Sequence, residues 1–141
     1  MTNDSELFRV SVKAVIHIDD CVVLLRKFDG KWDLPGGRLE TGEAIQQSLL
    51  REVIEEMGLS VSMGPLVYCG VRRREPPKQN VVVVAHLCTL DGSLDEIVLS
   101  EEHTGVRLIT IDDLPDLEIA DSYHEALENA FQFLKDHRES A

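Results

Sequence analysis

Cysteine is scarce in this chain, and so is positive charge. The three cysteines, Cys21, Cys69 and Cys88, are odd in number and widely spaced. That pattern excludes a disulfide framework and a cysteine-built zinc site, and all three lie in apolar runs where free thiols behave as small hydrophobic groups. Fourteen lysines and arginines face 26 acids, a formal net charge of −12. Such a surface repels polyanions, which argues against binding polymeric nucleic acid. It repels small phosphates as well, so a phosphate-handling site would need local arginines or a bound cation. No apolar run nears the ~20 residues that span a bilayer, so no membrane partner is expected. The opening residues lack the basic start and apolar middle of a secretory signal, which makes the cytoplasm the expected compartment. Internal repeats, low-complexity tracts and Pro/Gly/Ser linkers are absent too.

What remains reads as one domain over residues 1–141, ordered except near the first few residues and after Lys135. Residues 8–18 alternate and are rich in β-branched types, and Asp19-Asp20 turns them into a second strand at 21–27. Asp29-Gly30 marks another turn before a short apolar piece at 32–34. Residues 65–73 and 80–90 predict a second strand pair around a loop with Pro76 and Pro77, and 105–111 a further strand. Two helices are expected. One runs from about Gly42 to Met57, with Thr41 as N-cap, Glu43 at the positive end and Gly58 as terminator. The other runs from about Tyr123 to His137, with Ser122 and Glu125 as a capping box and one apolar face for the core. Strands, helix, strands, helix predict an α/β fold with a mixed sheet between helices.

The first helix carries an anomaly. Counting about 100° per residue from Ile45, Leu49, Val53 and Met57 fall within about 120° on one side. Glu56 lies at about 20° and Glu52 at about −20°, inside that apolar stripe, with Glu55 on the flank near about −80°. Partly buried like charges one turn apart cost several kcal/mol unless something neutralises them. A divalent cation such as Mg2+ answers this economically, gripped by Glu52 and Glu56 with Glu55 available to a second ion. Just upstream, Gly36-Gly37 lets the backbone approach a metal or phosphate, and a carbonyl there could complete the coordination.

Residues 37–59 fit the pattern G-x5-E-x7-R-E-U-x-E-E-x-G-U, with U a bulky aliphatic residue, at Gly37, Glu43, Arg51, Glu52, Val53, Glu55, Glu56, Gly58 and Leu59. Seven of these are fixed types, so a chance match is on the order of one in a billion per starting position. The segment resembles the signature of the Nudix hydrolases (MutT-like), and the leading Trp32-Asp33-Leu34-Pro35-Gly36 resembles what precedes it there. The resemblance implies a Nudix-type α/β/α sandwich and hydrolysis of a phosphoanhydride in a nucleoside diphosphate derivative. That leaves a nucleoside triphosphate, normal or oxidised, or ADP-ribose or another nucleotide sugar.

It implies that Glu52 and Glu56 are the principal metal ligands with the Gly36 carbonyl nearby, and that Glu55 is a further one. Arg51 and Glu43 then orient the carboxylates by ion pairing. It implies Mg2+ as cofactor with Mn2+ able to substitute, and leaves room for a homodimer. A further acid from a loop beyond the box is Glu102, with Glu101 second. The general base stays open among Glu52, Glu55 and Glu102. Cations must draw in the substrate, and Arg26, Arg72 and Arg74 are the candidates, with Gly37 beside them. Trp32 is read as core packing before base stacking. No proline- and tryptophan-rich motif follows the box, and Leu24-Leu25-Arg26-Lys27-Phe28 does not fit a coenzyme A signature. Pro76 or Pro77 stands where the ADP-ribose class carries proline. The alternative is a regulatory module that keeps the fold and binds a nucleotide with little turnover.

Overall fold

Alternation along the first strand sets the layers. A computed structural model describes residues 6–138. In β1 (Arg9–Ile18), Val12, Ala14 and Ile16 join one apolar cluster while Val15 joins another. β2 (Cys21–Arg26) repeats this, with Val23 and Leu25 on the first side and Val22 and Leu24 on the second. One cluster is closed by α1 (Ile45–Met57) through Leu49, Val53 and Met57. The other is closed by α2 (Asp121–Arg138) through Tyr123, Ala126, Leu127, Ala130 and Phe131. Fully burying a side chain such as Leu49 or Val53 contributes roughly 1.5–3 kcal/mol. The result is the expected α/β fold, a mixed sheet between helices.

The sheet has seven strands, completed by β3 (Trp32–Asp33), β4 (Gly36–Arg38), β5 (Val61–Arg72), β6 (Val81–Leu90) and β7 (Gly105–Ile109). β1 runs parallel to β6, and β5 is antiparallel to β6. β1 and β2 pair only at the hairpin end, His17 with Val22 and Ile18 with Cys21. Beyond it they part: β1 takes β4, while β2 takes β3 and β7. The fork brings β4, the end of β3 and the loop before β7 towards the C-terminal part of α1.

Several boundaries differ from the sequence expectation, each for a local reason. α1 starts at Ile45, and its N-cap is Ala44 in extended conformation. Gly42 is left-handed at φ +85°, and the Glu43 carboxylate accepts from the Glu40 N–H at 2.9 Å, so residues 40–43 form a turn that Thr41 does not cap. Gly36 and Gly37 form a strand, not a plain turn. β5 begins at Val61, four residues early, and bulges around Gly64 and Pro65 obscure its alternation. β7 ends at Ile109, because a 3-10 turn (Ile111–Asp116) follows at once. Another 3-10 turn covers Leu94–Glu96.

α2 begins at Asp121, so Ser122 sits inside the first turn with its buried Oγ unpartnered, and the box with Glu125 does not form. The Ala120 carbonyl accepts from the N–H groups of Tyr123 and His124 at 2.9 Å instead. α2 stays ordered past Lys135 to Arg138, and the other residues expected to be loose lie outside the described ones. No described helix is long and apolar enough to cross a membrane.

Candidate active site

The two glycines of β4 stand where a side chain would collide, Gly36 with the backbone of β1 and Gly37 with the Glu52 carboxylate. A Cβ on Gly36, which is at φ +131°, would lie 2.1 Å from the Val12 carbonyl oxygen. A Cβ on Gly37 would lie 2.6 Å from the carboxylate carbon of Glu52. Bare backbone here lets α1 settle against β4. The Gly36 N–H then donates to Oε2 of Glu56 at 3.1 Å. Glu56 is 4% exposed. Burial pushes its carboxyl up to about 7, against the opposing pull of Lys13.

Arg51 gathers the remaining acids of the helix and of the turn before it. Its Nε and Nη2 form a fork on Glu43 at 2.6 and 3.0 Å. Its Nη1 reaches Glu52 at 3.0 Å and Glu55 at 3.2 Å, and Nη2 also donates to the Arg38 carbonyl at 3.2 Å. Hydrogen bonding to Arg51 holds Glu43 down at about 2. Burial raises Glu52, and Arg51 opposes the rise. One guanidinium thus hydrogen-bonds Glu43, Glu52 and Glu55 and also pairs with exposed Glu40 at 3.6 Å.

The loop before β7, packed on the α1-side cluster through Ile97 and Leu99, completes the cluster of acids. Ser100 N–H donates to the Glu56 carbonyl at 3.0 Å, and Thr104 N–H to the Arg26 carbonyl at 2.8 Å. Pinned at both ends, the loop brings Glu102 and His103 to Glu56, and ligand atoms of the three lie within 4.8 Å of one another. Among the described residues this is where donor atoms converge. Glu101 is exposed outside it, and Glu52 and Glu55 are turned to Arg51. Two carboxylates, one of them buried and raised, are a donor set that fits a hard divalent cation, whose charge would favour the ionised form.

Sequence reasoning missed three groups behind this cluster. His103 Nε2 lies 3.1 Å from Oδ2 of Asp33. Lys13 is buried, and its Nζ donates to Asp33 at 3.4 Å, to the Leu34 carbonyl at 3.1 Å and to the Gly36 carbonyl at 3.3 Å. The Gly36 carbonyl therefore faces an ammonium. Burial works against the charge on Lys13, but Asp33, Tyr123 and Glu56 outweigh it and hold the ammonium above the usual lysine range. Burial likewise opposes the Asp33 carboxylate, and Lys13 and His103 draw it below its usual value. The signal was one lysine inside an apolar alternating strand.

Two cavities share Lys13, Arg72 and Tyr123 as a common wall. The larger, about 480 Å³, carries Lys27, Lys31, Trp32 and Asp33. The smaller, about 270 Å³, carries Gly37, Arg38 and Arg74. Local cations thus line both despite the acidic total. Arg72 lines both cavities and Arg74 the smaller one, whereas Arg26 is exposed and lines neither. Trp32 packs against the α2-side core and also walls the larger cavity, with the Arg107 guanidinium 5.5 Å from its ring centre.

A carboxylate cluster near cation-lined cavities offers a divalent cation and a phosphate group places to bind. The chain belongs to the Nudix hydrolases, a family acting on acid anhydrides: the NUDIX domain model matches residues 7–130. It is 30% identical over 137 residues to a MutT-like protein of Streptomyces ambofaciens, covering 93% of this chain and 84% of that one. It is 32% identical over 120 residues to the asymmetrical bis(5'-nucleosyl)-tetraphosphatase of Rattus norvegicus, covering 79% of each. The crystal structure of a MutT protein from Methanosarcina mazei superposes with a TM-score of 0.76 at 20% identity, over 97% of this chain and 99% of that one, and so shares the fold.

Proposed function

We propose that this chain hydrolyses a phosphoanhydride bond in a nucleoside diphosphate linked to a further group, using Mg2+ with Mn2+ able to replace it. The observation that carries this reading is the convergence of Glu56 and Glu102 beside cavities lined by Lys13, Lys27, Lys31 and Arg72. Glu56 and Glu102 would hold the cation, with Glu52 and Glu55 on the same helix for a further ion. A bound divalent ion polarises phosphoryl oxygens and lowers the pKa of its water.

The chain's own residues do the rest. Arg72, Lys27 and Lys31 bind the diphosphate, and Arg51 keeps Glu43, Glu52 and Glu55 in register. Asp33 and Lys13 brace the back of the site. Water adds to phosphorus, the bridging P–O bond breaks, and the water proton passes to a carboxylate. Glu102, exposed at the edge of the cluster, is the base favoured by position, through the carboxylate oxygen that the cation would leave free. Trp32 in the wall of the larger cavity suits a base or sugar beyond the diphosphate.

The test is a hydrolysis panel with chromatographic separation of products. It holds ADP-ribose, other nucleoside diphosphate sugars, dinucleoside polyphosphates, and normal and oxidised nucleoside triphosphates. One compound cleaved far faster than the rest, and lost in Glu56→Gln, supports the reading and names the substrate. No turnover on any, with metal binding intact, overturns it in favour of a nucleotide-binding regulatory module.

A further inference from the structure

The loop that delivers Glu102 also delivers a buried histidine with one ring nitrogen unused. His103 is 8% exposed. Its Nε2 meets Oδ2 of Asp33 at 3.1 Å, and Asp33 is already paired with the Lys13 ammonium at 3.4 Å. A carboxylate held ionised by an ammonium only accepts, so Nε2 is the donor, and in the neutral ring Nδ1 then presents a bare lone pair. That Nδ1 is buried and has no hydrogen-bond partner. Buried polar atoms are nearly always satisfied, and an exception calls for an absent partner. A bare lone pair takes a hydrogen-bond donor or a cation, and a ring nitrogen of His103 lies within 4.8 Å of carboxylate oxygens on Glu56 and Glu102. An imidazole fixed by a carboxylate on one nitrogen, with the other free beside acids, is how metal-ligating histidines are held.

We propose that His103 binds the divalent cation through Nδ1, alongside Glu56 and Glu102, and that this nitrogen tilts the site towards transition ions over Mg2+. The inference rests on the metal-dependent reading above and adds the ligand that sets ion preference. Mg2+ takes oxygen ligands almost exclusively, whereas imidazole suits the later first-row ions. Asp33 becomes a positioning residue that orients the ring, and Lys13 keeps Asp33 charged. The arrangement spans β1, β3 and the loop before β7, so it is absent from the contiguous signature at residues 37–59.

Mn2+ serves as the probe, because its electron spin detects bound nitrogen without any turnover. Wild-type protein loaded with Mn2+ is examined by electron spin-echo envelope modulation, unlabelled and with 15N-histidine. The proposal expects 14N modulation from a directly bound imidazole, replaced by 15N modulation in the labelled protein. In His103→Asn the modulation disappears and Mn2+ affinity falls on the order of tenfold or more, while Mg2+ affinity falls much less. Asp33→Asn keeps the modulation but weakens Mn2+ binding. Saturable Mn2+ binding with no nitrogen modulation in wild type overturns the histidine ligand and leaves the carboxylate site standing. Mn2+ binding that is absent, or unchanged in Glu56→Gln, overturns the metal site itself. The wild-type spectrum decides the point even if a variant fails to fold.

Discussion

The backbone N–H of Gly36 donates to Oε2 of Glu56 at 3.1 Å, tying a glycine strand to the buried acid of the helix that packs on it. That bond fixes where the carboxylate points, and burial around it sets the carboxyl near about 7. A carboxyl raised above its unfolded value binds more protons in the folded state. Its contribution to stability is therefore full below about pH 4.5 and is lost as pH rises through about 7. In metal-free protein this group should cost up to about 3 kcal/mol at pH 8 relative to pH 4. Urea unfolding in EDTA should give a falling line with pH for wild type and a flatter one for Glu56→Gln. Saturating Mg2+ should restore wild type at pH 8. Parallel lines for the two proteins would contradict the assignment.

Removal of the proton is also what metal binding requires. Mg2+ affinity, measured by calorimetry, should weaken as pH falls from 8 to 6, by roughly tenfold for one proton displaced per unit below the carboxyl's own value. An affinity flat across that range would show that Glu56 is not a ligand.

Gly37→Ala separates stability from catalysis. The new Cβ would meet the Glu52 carboxylate, the mobile end of a side chain, at 2.6 Å. The side chain can swing away, so the melting temperature should change little. The displaced carboxylate should lower kcat by roughly ten- to a hundredfold. A variant of full activity would remove Glu52 from the machinery.

Arg51→Lys tests the guanidinium as an organiser. Lysine keeps the charge but cannot reproduce the fork on Glu43 together with the reach to Glu52 and Glu55. The expected result is a fall in kcat of roughly tenfold or more with KM nearly unchanged. A rise in KM alone would place Arg51 on the substrate instead. Arg72→Ala should do what Arg51→Lys does not: raise KM more than it lowers kcat, and more than Arg26→Ala does.

The thiols should divide by burial. Cys69 is exposed, while Cys88 is buried and its thiol is pushed up to about 12 by burial. Iodoacetamide at pH 8 should label Cys69 in the folded protein and reach Cys88 only after unfolding, as read by mass spectrometry.

Much of this molecule was legible beforehand because its chemistry is local. Glu43, Arg51, Glu52, Glu55 and Glu56 share one helix and its approach, and helical geometry alone puts Glu56 into the apolar stripe. The layers followed from alternation in β1 and β2, each feeding both faces of the sheet. What stayed hidden depends on distant segments meeting. Asp33 lies 20 residues after Lys13 and His103 a further 70 on, and the three form a chain only after β1, β3 and the loop before β7 converge. Boundaries failed where side chains had other work: Glu43 serves Arg51 and not the helix start, and Ser122 is buried within the first turn it was expected to cap.

The central claim is metal-dependent cleavage of a phosphoanhydride at the Glu56 cluster. Product analysis in 18O-water tests it most directly, with wild type and Glu56→Gln, in Mg2+ and in EDTA, on the best substrate of the panel. The account predicts two phosphate-bearing products with a single 18O on one of them, and a rate reduced at least roughly a hundredfold by the substitution or by EDTA. Equal rates with and without metal, or products that together hold as many phosphoanhydride bonds as the substrate, would contradict it.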